Sequence, residues 1–349
     1  MLIQVTHITE LDYSALISET VMELRMAPRQ ERLQHRLSFV LGIGPASQVH
    51  SYFDWLGNTV HTFAINKLHR SVKISAVSVV QTYDRDRQTQ HPSDMWPPNP
   101  PTDHNLFDLL RLDAPVVDCP ALTELSQQIK PAGRESLARV GLNIMDKINE
   151  EFVYEKGITS ASSTIAEVLE HRRGVCQDFT HLMIGLARKL HIPARYVSGF
   201  IHAGNQQFRG AAETHAWCEL HFPSIGWIGY DPTNNCEVRD NFVKMAVGRH
   251  YNDVPPHKGV YRGNATETMK VEVHTMELPE ISGNLVGERT SPLNVPIFGN
   301  TGRGGVVPWI LEEQVQQQQQ QQQQQWLDDY GLAGETEHQF QKKLICGRQ

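Results

Sequence analysis

The chain has 349 residues, 40% of them hydrophobic, with a formal net charge of −7 and five cysteines. That length supports more than one domain with a real core, and an acidic balance without a Lys/Arg cluster argues against a nucleic-acid partner. Cys119, Cys176, Cys218, Cys236 and Cys346 are odd in number and form no CxxC pair, no cationic leader precedes an apolar segment, and no apolar run approaches the ~18 residues of a membrane span; the expectation is a cytoplasmic protein with reduced thiols and no membrane partner.

The first part of the chain alternates with a period of two. "RSVKISAVSVVQT" puts Val72, Ile74 and Ala76 on one face and Lys73, Ser75 and Val77 on the other, and "FDWLGNTVHTFAI" carries a Gly57-Asn58 turn between aromatic and β-branched residues. Short strands separated by turns predict an antiparallel β-sandwich over residues 1–85. "HPSDMWPPNPPTD" reads as a break, so residues 86–132 are expected to be a linker with short helices. The period then becomes helical: Leu137, Val140, Ile144, Met145, Ile148 and Phe152 share one stripe and open a second unit expected over 133–275. Residues 276–349, with "GNTGRGG" and glutamines from Gln316 to Gln325, are expected to be a mostly disordered low-complexity tail. The fold class expected is therefore α+β.

The second unit contains "RRGVCQDFTHLMIGLARKLHIPARYVSGF", Arg172 to Phe200. Val175, Phe179, Leu182, Met183, Leu186 and Leu190 recur at helical spacing, so a helix starts near Cys176 and ends before Pro193. Cys176 sits in its first turn, where unpaired N–H groups and the positive helix end favour thiolate, the form a nucleophile needs. The competing reading is a small buried thiol.

Downstream, "ETHAWCELHFPSIGWIGYDPTNN" reads as two strands joined at Pro223 to Gly226. His215 lies near the start of the first and Asp231 at the end of the second, so a hairpin brings them to one end of a sheet. Cys, His and Asp together suit thiol acyl transfer. Period-two logic imposes a condition: with a four-residue loop Asp231 would face away from His215, so the triad requires an odd-length connection or a bulge. A zinc set from His215, Cys218, His221 and Cys236 is disfavoured because Cys218 points away from the two histidines. No metal and no cofactor are expected, and GxSxG, HExxH and Walker lysine motifs are absent. Asp178 in the first helical turn is expected as a cap or as a functional residue, His181 with Thr180 as a satisfied buried pair, Trp217 and Trp227 as core aromatics, and Arg195 as a partner of a nearby carboxylate.

"GVCQDFTHLMIGLARKLHIPARYVSGF" followed by "THAWCELHFPSIGWIGYDPTN" resembles the core of the transglutaminase-like superfamily. "VGRHYNDVPPHKGVYRG" and the β-rich start resemble its bacterial branch, which carries an N-terminal transglutaminase-like β domain. The resemblance covers residues 1–275 and departs at Thr180, Thr214 and His250, where Ala, Ser and Asp would be expected. It implies a papain-like core with Cys176 as nucleophile, His215 as base and Asp231 as orienter. The implied activity is cysteine-dependent amide acyl transfer, with hydrolysis of a peptide or protein amide ahead of two alternatives: a protein-glutamine transglutaminase using an amine acceptor, and a non-catalytic scaffold. The oxyanion is expected to meet the Cys176 N–H and one further donor that the sequence does not place; Tyr154 is a candidate, with a helix-end packing role favoured for it. The sequence sets no oligomeric state.

Overall fold

The computed structural model describes residues 1–85, 93–211 and 213–279; the polyglutamine run expected in the tail lies outside the described residues. Alternation in the first strands becomes alternating burial, as in β1 (Leu2–Ile17), whose inward residues include Leu11 and Tyr13. It pairs antiparallel with β6 (His69–Thr82), and β3 (Gln34–Gly44) pairs with the other side of β6. A facing sheet contains β2 (Glu19–Leu24), β4 (Val49–Phe53) and β5 (Thr59–Ile65), with the Gly57-Asn58 turn between the last two and Gly57 at φ +74°. Met22, Leu24, Phe63, Val72 and Ile74 fill the space between the sheets. The expected sandwich is present.

Its far edges come from the other end of the chain. The last strands, His257–Arg262 and Glu267–Glu277, pair with β2 and β1, giving two four-stranded antiparallel sheets. The expected boundary at residue 275 is therefore corrected: from His257 the chain belongs to the sandwich. Ile3 pairing Glu277 is a contact between distant segments, and local periodicity carries no trace of it. The expected linker is corrected as well, because Trp96, Val116, Leu122 and Leu125 are buried in the main core, the last two on α1 (Pro120–Ile129).

That core forms between helices and an antiparallel sheet. The helices are α2 (Leu137–Glu151), α3 (Ile165–His171) and α4 (Cys176–Lys189). In chain order the strands of that sheet are β7 (Ala194–Ile201), β8 (His215–Phe222), β9 (Gly226–Asp231), β10 (Cys236–Glu237) and β11 (Phe242–Gly248), arranged β10-β9-β8-β7-β11, and the short strands Val153–Tyr154 and Arg173–Gly174 pair parallel beside α4. α4 is central and almost wholly buried, packing Phe179, Leu182, Met183 and Leu186 among the other helices and the sheet. The edge strand β11 would expose unpaired backbone groups. Two amides of the sandwich satisfy them: Gln34 Nε2 donates to Lys244 O while Lys244 N donates to Gln34 Oε1, both at 2.7 Å, and Asn58 makes the same reciprocal pair with Val247 at 2.8 Å. Ile3, Val5 and Val80 pack against Phe200, Val243 and Met245 alongside these bonds.

Three histidines are buried as neutral rings. Burial pushes His7 and His61 down to about 4 and His181 down to about 3, with the nearby His257, Arg36 and His250 respectively adding to the effect. Their folded values lie below the ~6.5 of an unfolded histidine, so the stability they contribute is present above that pH and is lost as pH falls toward 4 and 3. Unfolding free energy should drop by a few kcal/mol between about pH 6.5 and 4, and His7→Phe should flatten part of that slope in urea melts. A pH-independent midpoint over that window would contradict the assignment.

Candidate active site

Cys176 is the first residue of α4 and is half-buried. The helix starts there because Asp178 reaches back: its Oδ2 accepts from Val175 N at 2.8 Å and from Thr159 Oγ1 at 2.6 Å. Asp178 is thus the expected cap, and Gly174 gives it room, since a Cβ on Gly174 would lie 2.6 Å from that oxygen. Asp178 N already donates to Val175 O at 3.0 Å, whereas the Cys176 N–H, at the first position of the helix, has no intrahelical acceptor and is available to an oxyanion.

The hairpin meets the parity condition. Phe222 pairs Gly226 and Cys218 pairs Tyr230, so three residues, Pro223 to Ile225, connect the strands, with Gly226 at φ +83°. Gly226, expected as part of the turn, is a strand residue, and the odd count carries the Cys218–Tyr230 register one step on to set Asp231 opposite Trp217, on the face that His215 shares. His215 Nε2 donates to Asp231 Oδ2 at 2.9 Å, with both side chains fully buried. The other ring nitrogen, Nδ1, finds no oxygen or nitrogen partner among the described residues. Burial would depress the His215 pKa, but the charge and hydrogen bond of Asp231, with the adjacent Cys176 thiol, outweigh it and push the imidazole up to about 10.

Asp231 is itself held by four donors. Oδ1 accepts from Thr233 N at 2.9 Å and Asn234 N at 3.3 Å, while Oδ2 accepts from Asn234 Nδ2 at 2.7 Å and from His215. Asn234 was not among the residues expected at the site; the signal was available in "DPTNN", where an aspartate two residues ahead of free N–H groups forms an Asx turn. Tyr154 lies in the cleft beside Cys176, where burial first and then the thiol's charge raise its pKa. Tyr196 and Tyr251 adjoin the thiol on the same grounds.

The supporting residues fall as follows. His181 Nε2 accepts from Tyr251 N at 3.1 Å, and its ring lies 5.1 Å from that of Tyr196, so it is a satisfied buried histidine; the Thr180 hydroxyl is buried without a partner. Trp217 is fully buried and stacks on His215 at 6.3 Å between ring centroids, whereas Trp227 is partly exposed beneath Arg195. His250, one of the positions where the sequence departs from the resemblance, is buried. Cys218 packs in the helical core, apart from the cluster that holds Trp217. Among the described residues no group of three or more His, Cys, Asp or Glu is placed to hold a metal, and no helix is long and apolar enough to cross a membrane. A cavity of about 610 Å³ lies between the 202–208 segment and Cys236, Arg239 and Phe242, and none of Cys176, His215 and Asp231 lines it.

Comparison with known proteins agrees with this architecture. The family described as the transglutaminase-like superfamily matches residues 123–232, and the bacterial transglutaminase-like N-terminal region matches residues 3–81. The chain is 27% identical over 287 residues to an uncharacterized protein of Mycobacterium leprae, covering 79% of this chain and 98% of that one. It is 29% identical over 282 residues to an uncharacterized protein of Mycobacterium tuberculosis, covering 76% and 89%. A crystal structure from Cytophaga hutchinsonii, named "Putative Cysteine Protease", superposes with a TM-score of 0.63 over 80% of this chain and 93% of that one at 24% identity, which speaks to the fold. The sandwich, the helix-borne cysteine and the His-Asp hairpin thus belong together, and the chain is a member of the transglutaminase-like superfamily with a bacterial transglutaminase-like N-terminal region.

Proposed function

We propose that this protein is a cysteine-dependent amide hydrolase, a peptidase or amidase acting on a peptide or protein amide, with Cys176 as nucleophile, His215 as general base and Asp231 as its orienter. The observation that carries the reading is the buried His215–Asp231 pair at 2.9 Å, whose remaining ring nitrogen is the one left for Cys176. An imidazole held up near 10 keeps its proton at neutral pH, which favours a thiolate beside it. The thiolate attacks the carbonyl carbon, and the oxyanion meets the Cys176 N–H and the Tyr154 hydroxyl. His215 gives its proton to the leaving nitrogen, the C–N bond breaks, and a thioester remains. His215 then takes a proton from water, hydroxide adds to the thioester, and the acid leaves with Cys176 restored. A cytoplasmic setting is part of this proposal, supported by the free state of Cys119, Cys176, Cys218 and Cys236.

Peptide-amide hydrolysis by the purified protein should vanish in Cys176→Ala, and Tyr154→Phe should lower kcat by about 10²-fold with a smaller change in KM. Equal turnover in Cys176→Ala would overturn the proposal. Incorporation of an added primary amine in place of water would assign the acyl acceptor differently while keeping the nucleophile.

A further inference from the structure

After β7 the chain turns back over the triad. The backbone of Arg209 is gripped by one side chain: Arg209 N donates to Asn234 Oδ1 at 2.8 Å, and Asn234 Nδ2 donates to Arg209 O at 3.2 Å. The same Nδ2 holds Asp231, so residue 209 and the carboxylate are fixed by one turn. Gly210 follows at φ +82°, and a Cβ there would lie 2.5 Å from His215 Nδ1. Lys156 pairs with Glu213 at 2.6 Å and ties the end of this segment to the strand that carries Tyr154.

This anchoring places the Arg209 guanidinium over the Tyr154 ring, 5.5 Å from its centroid. Its one polar contact is Nη1 to Thr233 O at 3.5 Å, at the limit of a hydrogen bond, and among the described residues no carboxylate stands within ion-pair distance of it. The neighbouring Lys156 has Glu213, while Arg209 has an aromatic platform and solvent. A guanidinium fixed at its backbone and stacked on a ring presents its donor fork with little further loss of side-chain freedom. The partner that suits a planar fork is a carboxylate.

We propose that Arg209 is a specificity-determining residue that selects acyl donors carrying a carboxylate next to the scissile amide. This rests on the assignment of Cys176 as nucleophile. Tyr154 pairs with Gly174, two residues before Cys176, and its ring lies 6.3 Å from that of Phe179 on the helix Cys176 begins, so the cation stacked on Tyr154 stands at the end of the helix that bears the reacting sulfur.

The test uses two thiol reagents that differ in charge, iodoacetate and iodoacetamide, on the full chain. In each the Cys176 thiolate forms an S–C bond as C–I breaks and iodide leaves, and peptide mass spectrometry reads the rate at Cys176 alone. The iodoacetate-to-iodoacetamide rate ratio at low ionic strength should fall about threefold to tenfold in Arg209→Gln, and Arg209→Lys, which restores the charge without the planar fork, should return only part of it. In the unsubstituted protein, about 0.5 M salt should lower the ratio toward the Arg209→Gln value. Arg209 is exposed, so an unchanged melting temperature shows that the variant keeps its fold. A ratio that Arg209→Gln leaves unchanged overturns the proposal. Failure of the nucleophile assignment appears differently: both reagents would label Cys176 no faster than Cys119, with or without His215.

Discussion

Asp231→Asn is expected to lower amide turnover by about 10²- to 10⁴-fold while leaving substrate affinity much less changed. The reason is the donor count around the carboxylate. Thr233 N, Asn234 N, Asn234 Nδ2 and His215 Nε2 all donate to it, so an amide in its place must turn an NH₂ toward at least one of them. The negative charge that holds His215 up near 10 is lost at the same time. The sign of the linked stability effect follows. A histidine raised when folded stabilises fully below its unfolded value of ~6.5, and that stability is lost as pH rises through about 10. In the unsubstituted protein, stability should therefore decline between those two values, and Asp231→Asn should remove that decline. Turnover within a few-fold of the original would show that the carboxylate does not orient the base.

Glu219→Ala is expected to cost about 3 to 5 kcal/mol, read as a lower midpoint in urea unfolding. Glu219 is buried on β8 between Arg195, at 2.6 Å, and Lys244, at 2.5 Å. Burial would raise its pKa, and these two cations outweigh it and lower it. Removing the carboxylate leaves both cations partly desolvated with fewer partners. The loss should sit toward the lower end of that range, because Lys244 keeps Glu31 at 2.7 Å and Arg195 keeps its place over Trp227 at 4.2 Å. Since Glu31 belongs to the sandwich side and Lys244 to β11, the retained pair should keep the contact between the two parts of the molecule. A shift below about 1 kcal/mol would mean that the pair contributes no more than a surface salt bridge.

Much of this arrangement was legible in the sequence, for reasons that can be named. The helix of Cys176 declared itself through the spacing of Phe179, Leu182, Met183 and Leu186, and the strands of the sandwich through alternation at Val72, Ile74 and Ala76. The relation of His215 to Asp231 was legible as a condition on loop length, and the three-residue connection satisfies it. What periodicity could not supply is pairing across distance. The return of Glu267–Glu277 to β1, and the amide clamps of Gln34 and Asn58 on β11, join segments roughly two hundred or more residues apart. Arg195 was expected to pair a nearby carboxylate; its partner is Glu219 on the adjacent strand, joined through Lys244 to Glu31. Trp96, Val116, Leu122 and Leu125 were hidden by the prolines around them, which made a stretch that feeds the core read as a spacer.

The proposed hydrolysis requires a thiolate at Cys176 sustained by His215. Its most direct test is the rate of iodoacetamide labelling at Cys176 from about pH 5 to 9, followed by peptide mass spectrometry in the unsubstituted protein and in His215→Ala. Fast labelling well below the ~8.5 of an ordinary thiol is expected, with a profile in His215→Ala that moves up toward that value. Labelling of Cys176 that follows the same profile as Cys119 in both proteins would contradict it.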